Sequence, residues 1–141
     1  MRISGYASRF GERDAGGDIV WPGAFAASLL SRGSLSEGGE LPMLSDHQRP
    51  IGRWLRARED ATGLFVEGEV SDPAVARLIR ARKISGLSIG YRTRRSRGAN
   101  GRRELLDLDL REVSVVAFPM LGTARIETFD DTHTQPKGAL A

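Results

Sequence analysis

Apolar and polar positions change their period several times along the chain, and each change predicts an element. Ile3, Tyr6 and Phe10 recur loosely through residues 2–10, which reads as a first strand. Residues 11–17 form a polar turn between glycines, and Asp18-Ile19-Val20-Trp21 a short extended piece. Pro22 at a first helical position predicts a helix over Gly23–Leu30, with Phe25 and Leu29 at helical spacing. Residues 31–40 are rich in glycine and serine and predict a mobile surface loop. Residues 41–47 then form an apolar strand ending in His47. A hairpin pairs residues 51–58 with 63–70 around Asp60-Ala61-Thr62-Gly63. Its alternation points Leu64, Val66 and Val70 inward and Phe65, Glu67 and Glu69 outward.

Ser71-Asp72-Pro73 caps a second helix, whose apolar stripe is Val75, Leu78 and Ile79. The next strand, residues 84–91, has Leu87, Ile89 and Tyr91 on one face and Gly86, Ser88 and Gly90 on the other. Glycines flanking a serine in a strand signal the close approach of another backbone or a ligand. Residues 93–103 read as a basic loop, with Asn100-Gly101 as a turn. From Leu105 to Phe118 the apolar parity switches, from Leu106, Leu108 and Leu110 to Val113, Val115 and Ala117. A bulge near Arg111-Glu112 produces such a switch, as does burial on both faces. Residues 125–129 make a last short strand and residues 130–141 a flexible tail. The expected fold is α+β: about six or seven strands forming a β-barrel, with two helices.

Composition narrows the function classes. At 141 residues, 40% hydrophobic and 28% charged, the chain has the balance of a single globular domain. No apolar run predicts a signal peptide or a membrane span, so a soluble cytoplasmic protein is expected. The absence of cysteine excludes disulfides and thiolate chemistry. Only His47 and His133 are present, far apart, so neither a metal nor another cofactor is expected. The net charge of +3 is unevenly placed, because no acidic residue lies between Pro73 and Arg103, where arginine clusters. Nucleic acid would fit that stretch, yet it lacks aromatic residues for base stacking, and a solvated helix face with a basic hairpin explains it more simply.

A serine hydrolase needs a nucleophile, a neutral imidazole and a group that holds the imidazole in one tautomer. Ser88 and His47 are the only pair in the folded body that fill the first two roles. Glu112, where the strand pattern breaks, is the candidate third member. Asp46 is nearer in sequence but would point to the opposite strand face, and Asp107 and Asp109 precede the parity switch and face solvent. Each of the three residues also has an ordinary structural account when taken alone.

Six co-linear segments add weight: Gly5-Tyr6-Ala7 with Phe10-Gly11; Gly17 to Val20 with Pro22 to Phe25; Asp46-His47 with Pro50-Ile51-Gly52; Gly63-Leu64 with Val66-Glu67-Gly68; Gly86 to Tyr91; and Glu112 to Val116 with Phe118-Pro119. In these, residues 3–129 resemble the tailed-phage prohead protease family, itself similar to herpesvirus assemblin. The resemblance implies an assemblin-like closed β-barrel, a protease domain over residues 1–129 and a tail over 130–141. It implies a serine endopeptidase with Ser88 as nucleophile, His47 as base and Glu112 in place of assemblin's second histidine. The backbone amides of Met120 or Leu121 would form the oxyanion hole, since Pro119 has no N–H. Assemblin has an arginine pair at this point, where this chain has Met120-Leu121.

The implied substrate is scaffold, or a scaffold-like extension of the major capsid protein, cleaved inside the prohead in the bacterial host cytoplasm. Self-association into a homodimer is also implied, and no long C-terminal extension is expected. The alternative is a non-catalytic basic module for capsid assembly or nucleic-acid binding on the same fold. An esterase ranks lower, because the chain lacks a G-x-S-x-G elbow.

Overall fold

The computed structural model describes residues 1–32, 40–99 and 102–130. In chain order the elements are β1 (Arg2–Arg9), β2 (Asp18–Val20), α1 (Ala26–Ser31), β3 (Pro42–Ser45), β4 (Arg49–Glu59), β5 (Gly63–Val70), α2 (Pro73–Arg80), β6 (Gly86–Ala99), β7 (Arg102–Val116) and β8 (Ile126–Asp130). All eight strands join one sheet, in the order β2-β7-β3-β4-β5-β1-β8, with β6 also pairing β7.

The long strand β7 organises this sheet. One of its edges takes β6 in antiparallel register. The other takes two short parallel strands, β2 at Arg103–Leu105 and β3 at Val113–Val115. Between those two strands the edge would be bare, and buried backbone groups need partners. The α1 segment supplies them: Leu108 N–H donates to Ala24 O (2.9 Å) and Leu110 N–H to Ser28 Oγ (2.9 Å), while Arg32 donates to Leu110 O. This explains why Ser28 is fully buried. The core lies inside the curl and includes Phe25, Met43, Leu64, Leu87, Leu108 and Val115, all without exposure.

Several expectations are met in detail. The β4–β5 hairpin turns at residues 60–62, and Leu64, Val66 and Val70 are buried. Asp72 caps α2, its Oδ1 accepting from Ala74 N–H (2.8 Å) and Val75 N–H (3.2 Å). The parity switch in β7 is a bulge: Gly90 pairs with Glu112 and Tyr91 with Leu110, leaving Arg111 over.

Other expectations need correction. The fold is mostly sheet rather than α+β, since the two helices have only six and eight residues. The strands number eight among the described residues, not six or seven, and residues 93–99 and 102–103, expected as a loop, continue β6 and β7 as a ladder. The barrel is a curled half-barrel and not a closed one. β6 and β8 meet at a single bridge, Gly86 with Arg125, flanked by Leu87 N–H to Ala124 O and Ile126 N–H to Ser85 O. Beyond it β8 follows β1 while β6 follows β7, so no ladder seals the gap.

The first helix starts at Ala26 and not at Gly23. Gly23 is left-handed (φ +92°), and the Glu59 carboxylate accepts from the N–H groups of Gly23 (2.9 Å) and Phe25 (2.7 Å), fixing a turn there. In α2, Leu78 is partly exposed, and Val75 and Ile79 alone form the buried stripe. In β7, Leu105 is buried in place of Leu106, which falls at an irregularity of the β6 pairing. The loop expected at 31–40 and the tail expected at 130–141 fall for the most part, and the Asn100-Gly101 turn entirely, outside the described residues, while Asp130 ends β8.

Candidate active site

The small-residue face of β6 is small because two other segments press on it. A Cβ on Gly86 would lie 2.7 Å from Pro119 Cδ and 2.8 Å from Val116 O. One on Gly90 would lie 2.1 Å from Glu112 Oε2. Real side chains do not approach that closely, so Gly86 must be glycine against the Pro119 ring and the Val116 backbone, and Gly90 must be glycine for Glu112 to hold this position. Ser88 sits between them, opposite Ser114 on β7, and is 6% exposed. It makes no hydrogen bond among the described residues.

His47 reaches this face from the other side of β7. It lies in the turn after β3, where both Asp46 (φ 49°) and His47 (φ 62°) are left-handed. Such backbone is sparsely populated by residues with side chains and has to be held in place. Part of the hold is the His47 N–H, which donates to Ser114 Oγ (2.8 Å). The Ser114 hydroxyl in turn donates to Glu112 Oε1 (2.8 Å), and the other carboxylate oxygen, Oε2, contacts His47 Nδ1. An ionised carboxylate only accepts, so Nδ1 carries the proton and Nε2 is left as the acceptor. One buried hydroxyl therefore ties the backbone of His47 to the orientation of Glu112. The oxygen that meets the imidazole is the same one that fills the missing Cβ of Gly90, one same-face step along β6 from Ser88.

The competing carboxylates lie elsewhere. Asp46 is exposed, in the turn and not on a strand as expected, while Asp109 pairs with Arg94 (3.5 Å) and Arg111 (3.3 Å). Asp107 faces Arg95 in the ladder.

Pro119, packed on Gly86, begins the loop that passes beside Ser88. Ala15 N–H donates to Met120 O (2.8 Å) and Ala124 N–H to Leu121 O (2.9 Å), which anchors the loop through its carbonyls. The amides of Met120 and Leu121 donate to no group among the described residues. Met120 and Leu121 also line a cavity of about 80 Å³ together with Ser88. Its other walls come from β1, β2, Tyr91 and the turn at residues 12–14.

Residues 1–137 match the model of the caudovirus prohead serine protease family. The chain belongs to that family. It is 31% identical to the prohead protease of Enterobacteria phage HK97 across 94% of its length, and 31% identical to that of Escherichia phage T5 across 84%. It spans 63% and 58% of those two relatives. Among solved structures it resembles the bacteriophage T4 capsid assembly protease gp21 (TM-score 0.64, 14% identity, 82% of this chain and 80% of that one). It also resembles KSHV protease crystallised with a hexapeptide phosphonate inhibitor (TM-score 0.59, 14% identity, 93% and 65%). At such identities the two likenesses speak for the fold, which is that of the assemblin-like proteases.

Two features of the family member's site escape a reading of the sequence. Ser114 is one, although its place two residues after Glu112 put it on the same strand face. The acidic turn residues beside Ser88 are the other, and nothing local in the sequence links residues 12–18 to residue 88.

Proposed function

We propose that this chain is a serine endopeptidase of capsid maturation, with Ser88 as nucleophile, His47 as general base and Glu112 as the group that orients it. The observation that carries this reading is the Glu112 carboxylate bonded to His47 Nδ1 where it fills the missing side chain of Gly90, one same-face step along β6 from Ser88. Ser88 Oγ attacks the scissile carbonyl while His47 Nε2 takes its proton. Glu112 stabilises the imidazolium that forms, and His47 then returns the proton to the leaving amine. Water, activated by the same imidazole, releases the acyl group. The free amides of Met120 and Leu121 are the donors for the oxyanion. The Ser88–His47 hydrogen bond forms once substrate is seated, as catalytic hydrogen bonds commonly tighten in the Michaelis complex.

The substrates would be scaffold or a scaffold-like extension of the major capsid protein, cut inside the assembling shell. That role is supported by the family membership and by the capsid assembly protease among its structural neighbours. Co-expression with the cognate capsid protein tests it. Shortened capsid subunits are expected with the wild-type chain and not with Ser88→Ala; full-length subunits in both would overturn it.

A further inference from the structure

The face of β6 that carries Ser88 does not stop at the catalytic residues. Ser88, Gly90 and Arg92 alternate along it, and β6 itself has no extra residue between them. Tyr91 and Thr93 stand opposite the buried Leu110 and Leu108 and so belong to the other face. Beyond Arg92 the Ser88 face continues with Arg94, the extra residue of a second bulge, and then with Arg95 and Arg97. Asp109, Asp107 and Glu104 on β7 stand opposite Arg92, Arg95 and Arg97. One row therefore runs from the serine into the far part of the hairpin. At strand rise it puts Arg92 about 13 Å from Ser88 and Arg97 within about 30 Å.

The charges on this row do not cancel. Asp109 is shared by Arg94 (3.5 Å) and Arg111 (3.3 Å), so one carboxylate answers two guanidiniums. Glu104 is taken up by Arg97 (2.6 Å). Arg92 and Arg95 are exposed and form no ion pair among the described residues. With Asp107 set against Arg95, its cross-strand neighbour, Arg92 and one partner of Asp109 are still in excess. The ladder beneath fixes these cations at strand spacing. An extended peptide has the same rise, so its alternate side chains can meet successive arginines, and carboxylates match the guanidinium fork. A nucleic-acid strand fits less well. The interleaved carboxylates would repel an unbroken run of phosphates, and Tyr91, the one aromatic residue of β6 and β7, is on the other face and cannot stack.

We propose that this arginine row is a substrate-docking site outside the catalytic centre, and that it takes an extended, acidic segment beginning about four residues from the bond that Ser88 attacks. The inference rests on Ser88 being the nucleophile. A segment held there raises the effective concentration of the scissile bond at the serine without touching the reacting atoms. Loss of the row therefore raises KM and leaves the chemical step alone.

Two measurements on the intact chain test this. In the first, fluorescein-labelled octaglutamate, octalysine and an oligothymidylate of the same length are titrated by anisotropy at low and at physiological salt. Octaglutamate should bind, octalysine should not, and the affinity should fall as salt rises. Arg92→Gln/Arg95→Gln should weaken octaglutamate about fivefold or more. Arg53→Gln/Arg77→Gln removes the same charge from exposed positions outside the hairpin and should change it by less than about twofold. In the second, cleavage of the cognate capsid protein should slow in Arg92→Gln/Arg95→Gln by a similar factor, through KM, while a small fluorophosphonate labels Ser88 in all three proteins at one rate. Capsid cleavage unchanged in that variant, octaglutamate binding that it leaves intact, or tighter binding of the oligothymidylate than of octaglutamate would overturn the docking site with Ser88 still the nucleophile. Failure of the fluorophosphonate to label Ser88 in the wild-type chain would overturn the catalytic reading instead, and the docking site with it.

Discussion

The two halves of the β6–β7 hairpin share one ladder and have opposite characters. In the near half, Gly86–Tyr91 against Leu110–Val116, most side chains are buried or half-buried, and Ser114 donates to Glu112. In the far half, Arg92–Ala99 against Arg102–Asp109, most of the β6 side chains are exposed and arginine-rich. There the charges meet across the strands, as in Arg97 with Glu104 (2.6 Å) and Arg94 with Asp109 (3.5 Å). The backbone pairing is the same throughout. The difference lies in what covers each face: the core and the His47 turn in the near half, and mainly water in the far half. A hydrogen bond in the covered half acts in a low local dielectric, whereas an ion pair in the open half is screened.

That contrast can be broken at several points, with effects that should fall off in order. Ser88→Ala should lose about 10⁴-fold or more in kcat with an unchanged melting temperature, and fluorophosphonate labelling should vanish. Glu112→Gln, which keeps the shape and removes the charge, should cost about 10³-fold in kcat, while Asp46→Asn changes little. Equal losses in both variants would remove Glu112 from its role.

Gly90→Ala is a sharper probe of the same half. Its new Cβ meets the movable end of Glu112, so the fold should persist while the carboxylate shifts. The expected loss is about 10²-fold. Ser114→Ala removes both of the bonds made by that hydroxyl and should cost about 10- to 100-fold in kcat. In the far half, Arg94→Ala with Arg97→Ala should change stability by about 1 kcal/mol at most and leave small-peptide turnover alone. A collapse of activity there would mean that the two halves are coupled.

Much of this could be read from the chain alone, wherever the signal was local. Alternation placed the strands, Asp72-Pro73 marked the start of α2, and the parity switch located the bulge at Arg111. Six short motifs in order named the family that the whole-chain match then showed. The failures share a cause, which is that each depended on a partner far away in sequence. The start of α1 is set by Glu59, and the length of the basic hairpin by cross-strand pairing from Arg92 to Arg103.

The sequence by itself determined which residues could do the chemistry: one serine between glycines, one histidine in the folded body and a glutamate at a break in a strand. Only the tertiary structure decided how they meet. Parallel pairing of β3 with β7 brings the His47 turn over Glu112, the absent side chain of Gly90 gives that carboxylate its room, and Ser114 ties both together. Curling of the sheet carries the turn at residues 12–14 to the cavity of Ser88. Local pattern fixes a side chain's face through backbone periodicity, but which faces come together depends on long-range strand pairing, and that is a property of the assembled sheet.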